Sequence, residues 1–271
     1  MSSRHTQHDE RAQLDLFRAL PGDLAPRDAQ DLMAYPFFSL AKSKRLAPID
    51  FKAGSVKIRV EAVAEHGMAT IWDADVLIWA ASQIVEARDL GLRPSRLMAA
   101  LDRLQSTTVA TSIRQPTERR MHRFSWINEW KERADHRGRP LGLELIVPDW
   151  FYGAVLDDAL VLTIDRNYFG LTGGLERWLY RLVRKHGGRQ EFGWSFDFPH
   201  LHSKSGSLSP LKHFAYDLRD IVKRQPLPGY RLTIEQGVGG PEILSFVPTD
   251  PDSLGIPRRR RRAKSHPGDK L

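Results

Sequence analysis

Apolar residues recur along this chain with two periods, and each period predicts an element. Val56, Ile58 and Val60 alternate with Lys57, Arg59 and Glu61, the pattern of a half-buried strand. Val76, Leu77, Ala80, Ala81, Ile84 and Val85 then keep a helical stripe. Asp73 is placed to cap that helix, Gly91 to end it and Pro94 to block its continuation. A second helix is predicted over Ser95 to Gln105, followed by strands Thr107 to Ile113, Arg120 to Ile127 and Leu141 to Val147.

The order largely repeats in the second half. A short helix (Phe151 to Val155) and a strand (Val161 to Ile164) lead to a strong helix, Thr172 to Lys185. Leu175, Trp178, Leu179, Leu182 and Val183 mark its inner face, and Arg177, Arg181, Arg184 and Lys185 are expected largely on the outer one. A helical turn over Phe198 to His202 leads into Ser203-Lys204-Ser205-Gly206-Ser207. Ser209 is the expected cap of the next helix, with Pro210 in its first turn. Phe214, Leu218, Ile221 and Val222 form its apolar stripe, and Pro226 and Pro228 end it. A hairpin of Tyr230 to Ile234 and Ile243 to Val247 follows.

Helix, short helix, turn, helix and hairpin is the order of a winged helix-turn-helix. The expected fold is α+β, two tandem winged-helix domains with flexible ends. Residues 1–34 are read as a partly disordered arm with apolar Leu14, Leu16, Phe17 and Leu20. Residues 35–148 are read as the first winged-helix-like domain, 149–248 as the second, and 249–271 as a disordered basic tail. The alternative is an ordinary small α/β domain whose polar helix face is merely solvated.

Charge sharpens that choice. The net charge is +8, and it is concentrated in islands: +6 over residues 257–271, +6 over 166–224 and +4 over 119–140, against −5 over 141–165. Concentrated basic islands suit a polyanion held at defined faces. The expected outward face of the last helix is Lys212, His213, Tyr216, Arg219 and Lys223. Lys204, Ser205, Ser207 and Ser209 before it, and Arg231 on the hairpin, are expected phosphate contacts. Arg258, Arg259, Arg260, Arg261 and Arg262 would add sequence-independent attraction. The chain has no cysteine, which excludes disulfides and thiolate metal sites and suits a reducing cytoplasm. No apolar run reaches membrane-spanning length, and the polar Met1 to Glu10 lacks a signal-peptide core.

Several runs resemble the replication initiator protein A family, RepA-like plasmid initiators of Gram-negative, mainly alphaproteobacterial, hosts. They include Tyr35-Pro36-Phe37-Phe38-Ser39-Leu40-Ala41-Lys42, Ile71-Trp72-Asp73-Ala74-Asp75-Val76-Leu77-Ile78-Trp79 and Leu101-Asp102-Arg103-Leu104-Gln105-Ser106-Thr107. Further matches run from Asn167 to Trp178, through Phe196-Asp197-Phe198 and Leu201 to Leu208, and over Phe214-Ala215-Tyr216-Asp217-Leu218-Arg219. The resemblance covers about residues 30–248. It implies sequence-specific binding to repeated duplex sites at a plasmid origin, origin opening, and recruitment of host replication proteins, with the initiator DnaA and the replicative helicase as candidates. One departure stands out. Members of that family carry a longer stretch where this chain passes directly through Ala99-Ala100. That implies a first winged helix shortened between Met98 and Leu101, and puts its DNA contacts and replication competence in question.

Motifs for chemistry are sparse, so no enzyme activity, metal or cofactor is expected. His200-Leu201-His202 fits the His-hydrophobic-His pattern of a metal-dependent rolling-circle nickase, with Tyr216 as its nucleophile. That chemistry needs both imidazoles on one face of a strand, and Pro199 and the following Ser/Gly turn argue against a strand. Gly170-Leu171-Thr172-Gly173-Gly174 lacks the Lys-Ser/Thr ending of a phosphate loop. A transcriptional autorepressor needs only the second domain and remains an alternative. So does an interaction protein that dimerises through Phe17 and its neighbours.

Overall fold

Regular structure is present ahead of Tyr35, where the apolar pattern predicts the first folded region to start. The computed structural model describes residues 26–86, 94–114, 121–187, 193–236 and 240–249. Strand β1 (Arg27–Ala29) and helix α1 (Gln30–Ala34) precede Tyr35, so regular elements lie inside the stretch expected to be a partly disordered arm. β1 pairs antiparallel with β8 (Val161–Thr163), Arg27 opposite Thr163 and Ala29 opposite Val161. The first strand thereby belongs to both halves of the chain.

A four-stranded antiparallel sheet follows, in the order β2 (Ile49–Ala53), β3 (Val56–Glu61), β4 (Thr108–Thr111), β5 (His122–Ser125). The alternation in β3 behaves as the pattern predicts: Ile58 and Val60 are buried, Lys57 and Arg59 exposed. The expected strand Arg120 to Ile127 is cut to β5. β2 carries no long alternating run, but its Ile49 and Phe51 pair with Val60 and Ile58 and bury the same face. Helices α2 (Ala74–Glu86) and α3 (Pro94–Ser106) cover the sheet, and α3 runs unbroken across residues 98–101. Asp73 stands just ahead of α2 as expected. Its carboxylate, however, accepts from the Thr70 N–H and hydroxyl and, at 2.6 and 2.7 Å, from Arg103 of α3. The residue read as a helix cap thus joins two helices. A hairpin of β6 (Glu129–Ala134) and β7 (Pro140–Ile146) completes the first half; β6 has no counterpart in the expected order.

The second half contains α4 (Asp149–Leu156), β8, α5 (Gly174–Gly187), β9 (Trp194–Asp197), α6 (Phe198–Ser205), α7 (Leu211–Arg224), β10 (Tyr230–Gln236) and β11 (Glu242–Pro248). Its sheet has the order β10-β11-β9, so the expected hairpin gains a third, unforeseen strand. Two apolar cores result. The first is dense in aromatic rings, with Phe124 stacked on Trp150 at 4.8 Å and Phe38 on Trp126 at 5.1 Å. The second gathers α5, α7 and the sheet, and includes Trp178 as expected, but also Met33 and Ile78 from the first half.

α5 joins the halves, and here expectation fails. Arg177, Arg181 and Arg184, read as an outward basic face, are all buried. The Arg181 Nε donates to Asp28 at 2.7 Å, and both side chains are only 1% exposed. Arg177 donates to both Asp75 oxygens at 2.8 Å and to the carbonyls of Leu171 and Phe169. Arg184 donates to the Thr163 carbonyl and hydroxyl in β8. Each guanidinium donates to an element brought from elsewhere in the chain, as a buried charge requires, although Arg181 Nη1 has no hydrogen-bond partner among the described residues. Gly174 lets α5 start flush against the first half: a Cβ there would stand 2.0 Å from the Leu40 carbonyl oxygen.

Removing one partner of the buried pair leaves a charge uncompensated. Arg181→Met should destabilise the protein by about 3–5 kcal/mol in equilibrium urea denaturation near neutral pH. Burial pushes the Asp28 carboxyl up, against the pull of Arg181. In the variant that carboxyl protonates more readily, so the deficit should shrink as the pH falls through the acid range. A deficit that ignores pH would contradict this account.

Candidate nucleic-acid interface

Three elements carry the expected contacts: α6, the turn after it, and α7, with the β10–β11 hairpin alongside. α6 starts on Asp197, whose carboxylate accepts the His200 N–H at 2.7 Å, with Pro199 in its first turn. It ends at Gly206 with φ of 62°, where the left-handed backbone favours glycine. Space points the same way: a Cβ on Gly206 would approach Pro36 to 2.9 Å.

The turn is wired to itself rather than open to a ligand. Ser205 is fully buried. Its hydroxyl donates to the His202 carbonyl and accepts the Ser207 N–H. The Ser207 hydroxyl accepts the Ser209 N–H at 3.1 Å, and the Ser209 carbonyl lies 2.7 Å from His202 Nε2. Ser205 is therefore withdrawn from the expected contact set. The backbone N–H groups of Ser207 and Ser209, expected to face phosphate, are already paired; Ser207 is half-buried and Ser209 exposed. Nor does Ser209 cap α7: Pro210 occupies that position, and the helix begins at Leu211. Arg45 fixes the turn from the first half, donating to the Gly206 carbonyl at 2.6 Å and to those of Ala47 and Pro48. Nothing in the sequence singles out Arg45; short polar residues in a turn and a lone arginine far upstream give no pairing signal.

α7 buries Phe214, Ala215, Leu218 and Ile221. Lys212, His213, Tyr216, Arg219 and Lys223 are all exposed, Tyr216 to 70%. The i, i+4, i+7, i+11 spacing of Lys212, Tyr216, Arg219 and Lys223 lines them in one stripe. Arg219 leans to the hairpin, where Glu242 at the start of β11 holds it. The helix flank bearing Asp217, Asp220 and Arg224 lines a cleft of about 480 Å³, which residues 39–45 close on the other side. Arg224 there bridges Asp220 and Glu176, at 2.7 Å each. Cations thus line one flank of α7, while the other carries Asp217 and the Asp220–Arg224 pair.

Arg231 is exposed on β10. Lys204 is half-buried, its ammonium 5.0 Å from the centre of the Tyr35 ring. Burial, and then the charge of Lys185, pull it down to about 8. Arg258 to Arg262 lie outside the described residues. His200 and His202 lie on a helix, not a strand. His200 stacks on Phe196 at 5.4 Å, while His202 faces the turn. Among the described residues no group of three or more His, Asp or Glu side chains is placed to hold a metal ion, and no helix is long and apolar enough to cross a membrane.

Comparison with known proteins agrees with this geometry at the level of family and fold. The chain belongs to the replication initiator protein A family, whose model matches residues 27–99 and 91–232. The two matched segments overlap over residues 91–99. A protein of Wigglesworthia glossinidia brevipalpis described as "Putative replication protein" is 28% identical over 228 residues, covering 74% of this chain and 82% of that one. Among solved structures, a selenomethionine derivative of domains 2 and 3 of RctB superposes with a TM-score of 0.55. It shares 14% identity and covers 80% of this chain and 96% of that one. A second structure of RctB domains 2-3 gives 0.50 at 14% identity, covering 84% and 99%. These likenesses place the chain in a mixed α/β fold built over the length of both halves.

Lys204 supplies a direct check of the site's electrostatics. Its ammonium should titrate near pH 8 by NMR, and Tyr35→Ala, which uncovers it, should move the midpoint upward. An unfolded lysine holds its proton to higher pH, so this group adds stability as pH rises from about 8 toward about 10.4. A midpoint near the ordinary lysine value in the native protein would show that the ammonium is not desolvated.

Proposed function

We propose that this chain initiates plasmid replication by binding repeated origin sites as a noncatalytic duplex-DNA reader. On this reading the two halves are tandem winged helices. α6 and α7 form the helix-turn-helix of the second, with β10 and β11 as its wing. α7 lies in the major groove, where Tyr216 and Arg219 of its stripe reach base edges, while Lys212, Lys223, Arg231 and Lys204 touch the backbone. The observation that carries it is that stripe of Lys212, Tyr216, Arg219 and Lys223, exposed along one flank and backed by an apolar core. Membership of the initiator family supports the role. Linkage of the two halves through α5 would raise the effective concentration of one at the repeat bound by the other. Several bound copies would then strain neighbouring AT-rich duplex toward opening. Recruitment of DnaA or helicase, homodimerisation and action in the bacterial cytoplasm belong to the same reading.

Footprinting on origin DNA, with binding selection from random duplexes, tests it. Lys212→Gln and Lys223→Gln should each flatten the slope of log affinity against log salt by about 0.9 and leave the selected sequence unchanged. If neither variant changes the slope, α7 does not face the duplex.

A further inference from the structure

The stripe on α7 carries one guanidinium, that of Arg219, and it is held in place. Glu242 grips it along one edge, with Nε donating to Oε1 at 2.8 Å and Nη2 to Oε2 at 2.5 Å. The guanidinium carbon lies 6.0 Å from the centre of the Phe198 ring, itself buried at the start of α6. α6, α7 and β11 therefore converge on one side chain that is still half exposed to solvent.

A planar guanidinium presents donors along more than one edge. The Nε–Nη2 edge is spent on Glu242. No hydrogen bond among the described residues uses Nη1, so the Nη1–Nη2 edge is left for an outside acceptor pair. In the major groove guanine offers two adjacent acceptors, O6 and N7, whereas adenine sets a donor beside its N7. Phosphate oxygens would also accept, but they carry no sequence information. The Glu242 charge disfavours a phosphate at that spot and keeps the guanidinium from swinging to one. Arg219 in turn holds the Glu242 carboxyl below its ordinary range, so the clamp stays ionised at neutral pH.

We propose that Arg219 reads a guanine through its Nη1–Nη2 edge, and that Glu242 is the positioning residue that holds it there. This rests on the placement of α7 in the major groove proposed above. A plain brace between wing and helix would stabilise the protein without making it select a base, and the test separates the two.

The experiment selects the site from random duplexes with the full chain, then replaces each guanine in turn by 7-deazaguanine, which lacks the N7 acceptor. One replacement should weaken binding about 5- to 150-fold. In Arg219→Ala the same replacement should cost nothing further; Arg219→Lys should keep its affinity for unrelated duplex, since the charge remains. In Glu242→Gln the penalty should fall to within about twofold of none, while binding to unrelated duplex strengthens and its salt slope steepens. Thermal melts of each variant check that the fold persists. A Glu242→Gln variant that keeps the full penalty overturns the positioning role. A penalty that survives Arg219→Ala overturns the reading of guanine. A selection that yields a site with no sensitive guanine also overturns this inference alone. One that yields no site overturns the placement of α7 and this inference with it.

Discussion

The arrangement of this molecule depends on charges that are not available to any ligand. Arg181 and Asp28 meet where neither can reach water, and Arg177 and Arg184 repeat the contact with Asp75 and Thr163 on either side. Ions so placed add little net stability, because desolvation offsets most of their attraction. They make every other arrangement costly, since a slipped helix would strand a charge. The relative position of the two cores is therefore specified by α5 more sharply than apolar packing alone would specify it.

That specification reaches the surface formed by α6 and α7. Arg45 comes from the first half and holds the carbonyl that closes α6, while the turn's own hydroxyls absorb its backbone groups. α7 leaves this turn with its direction set by both halves. On the proposed reading, such pre-organisation would favour binding, because little freedom remains to be lost on contact with a duplex.

Much of the helical skeleton was legible in sequence, and the reason is local. α2, α3, α5, α6 and α7 each carry an apolar stripe at helical spacing or strong end signals, and the exposed face of α7 follows directly from its buried one. β9 was missed because Trp194 to Asp197 is too short to announce itself and exists as a strand only because β11 pairs with it. The arginines of α5 were misread for a deeper reason. Arg177, Arg181 and Arg184 repeat at i, i+4 and i+7, the same spacing as Lys212, Tyr216 and Arg219. What separates a buried cationic row from an exposed one is the presence of Asp28 and Asp75, more than a hundred residues away. Ser205 was misread because small hydroxyl side chains serve a turn's own backbone as readily as a ligand. Glu242 gave no local signal either, for its partner lies on another element.

The pairing of β1 with β8 bears on how the chain is made. Strand β1 meets its partner only after residue 163 has left the ribosome. Until then Arg27 to Ala29 has an unpaired edge, and Asp28 lacks its counter-ion on α5. The first half cannot finish on its own during synthesis. Closing so long a loop is slow, and it is this closure that ties the two halves together along β1 and β8.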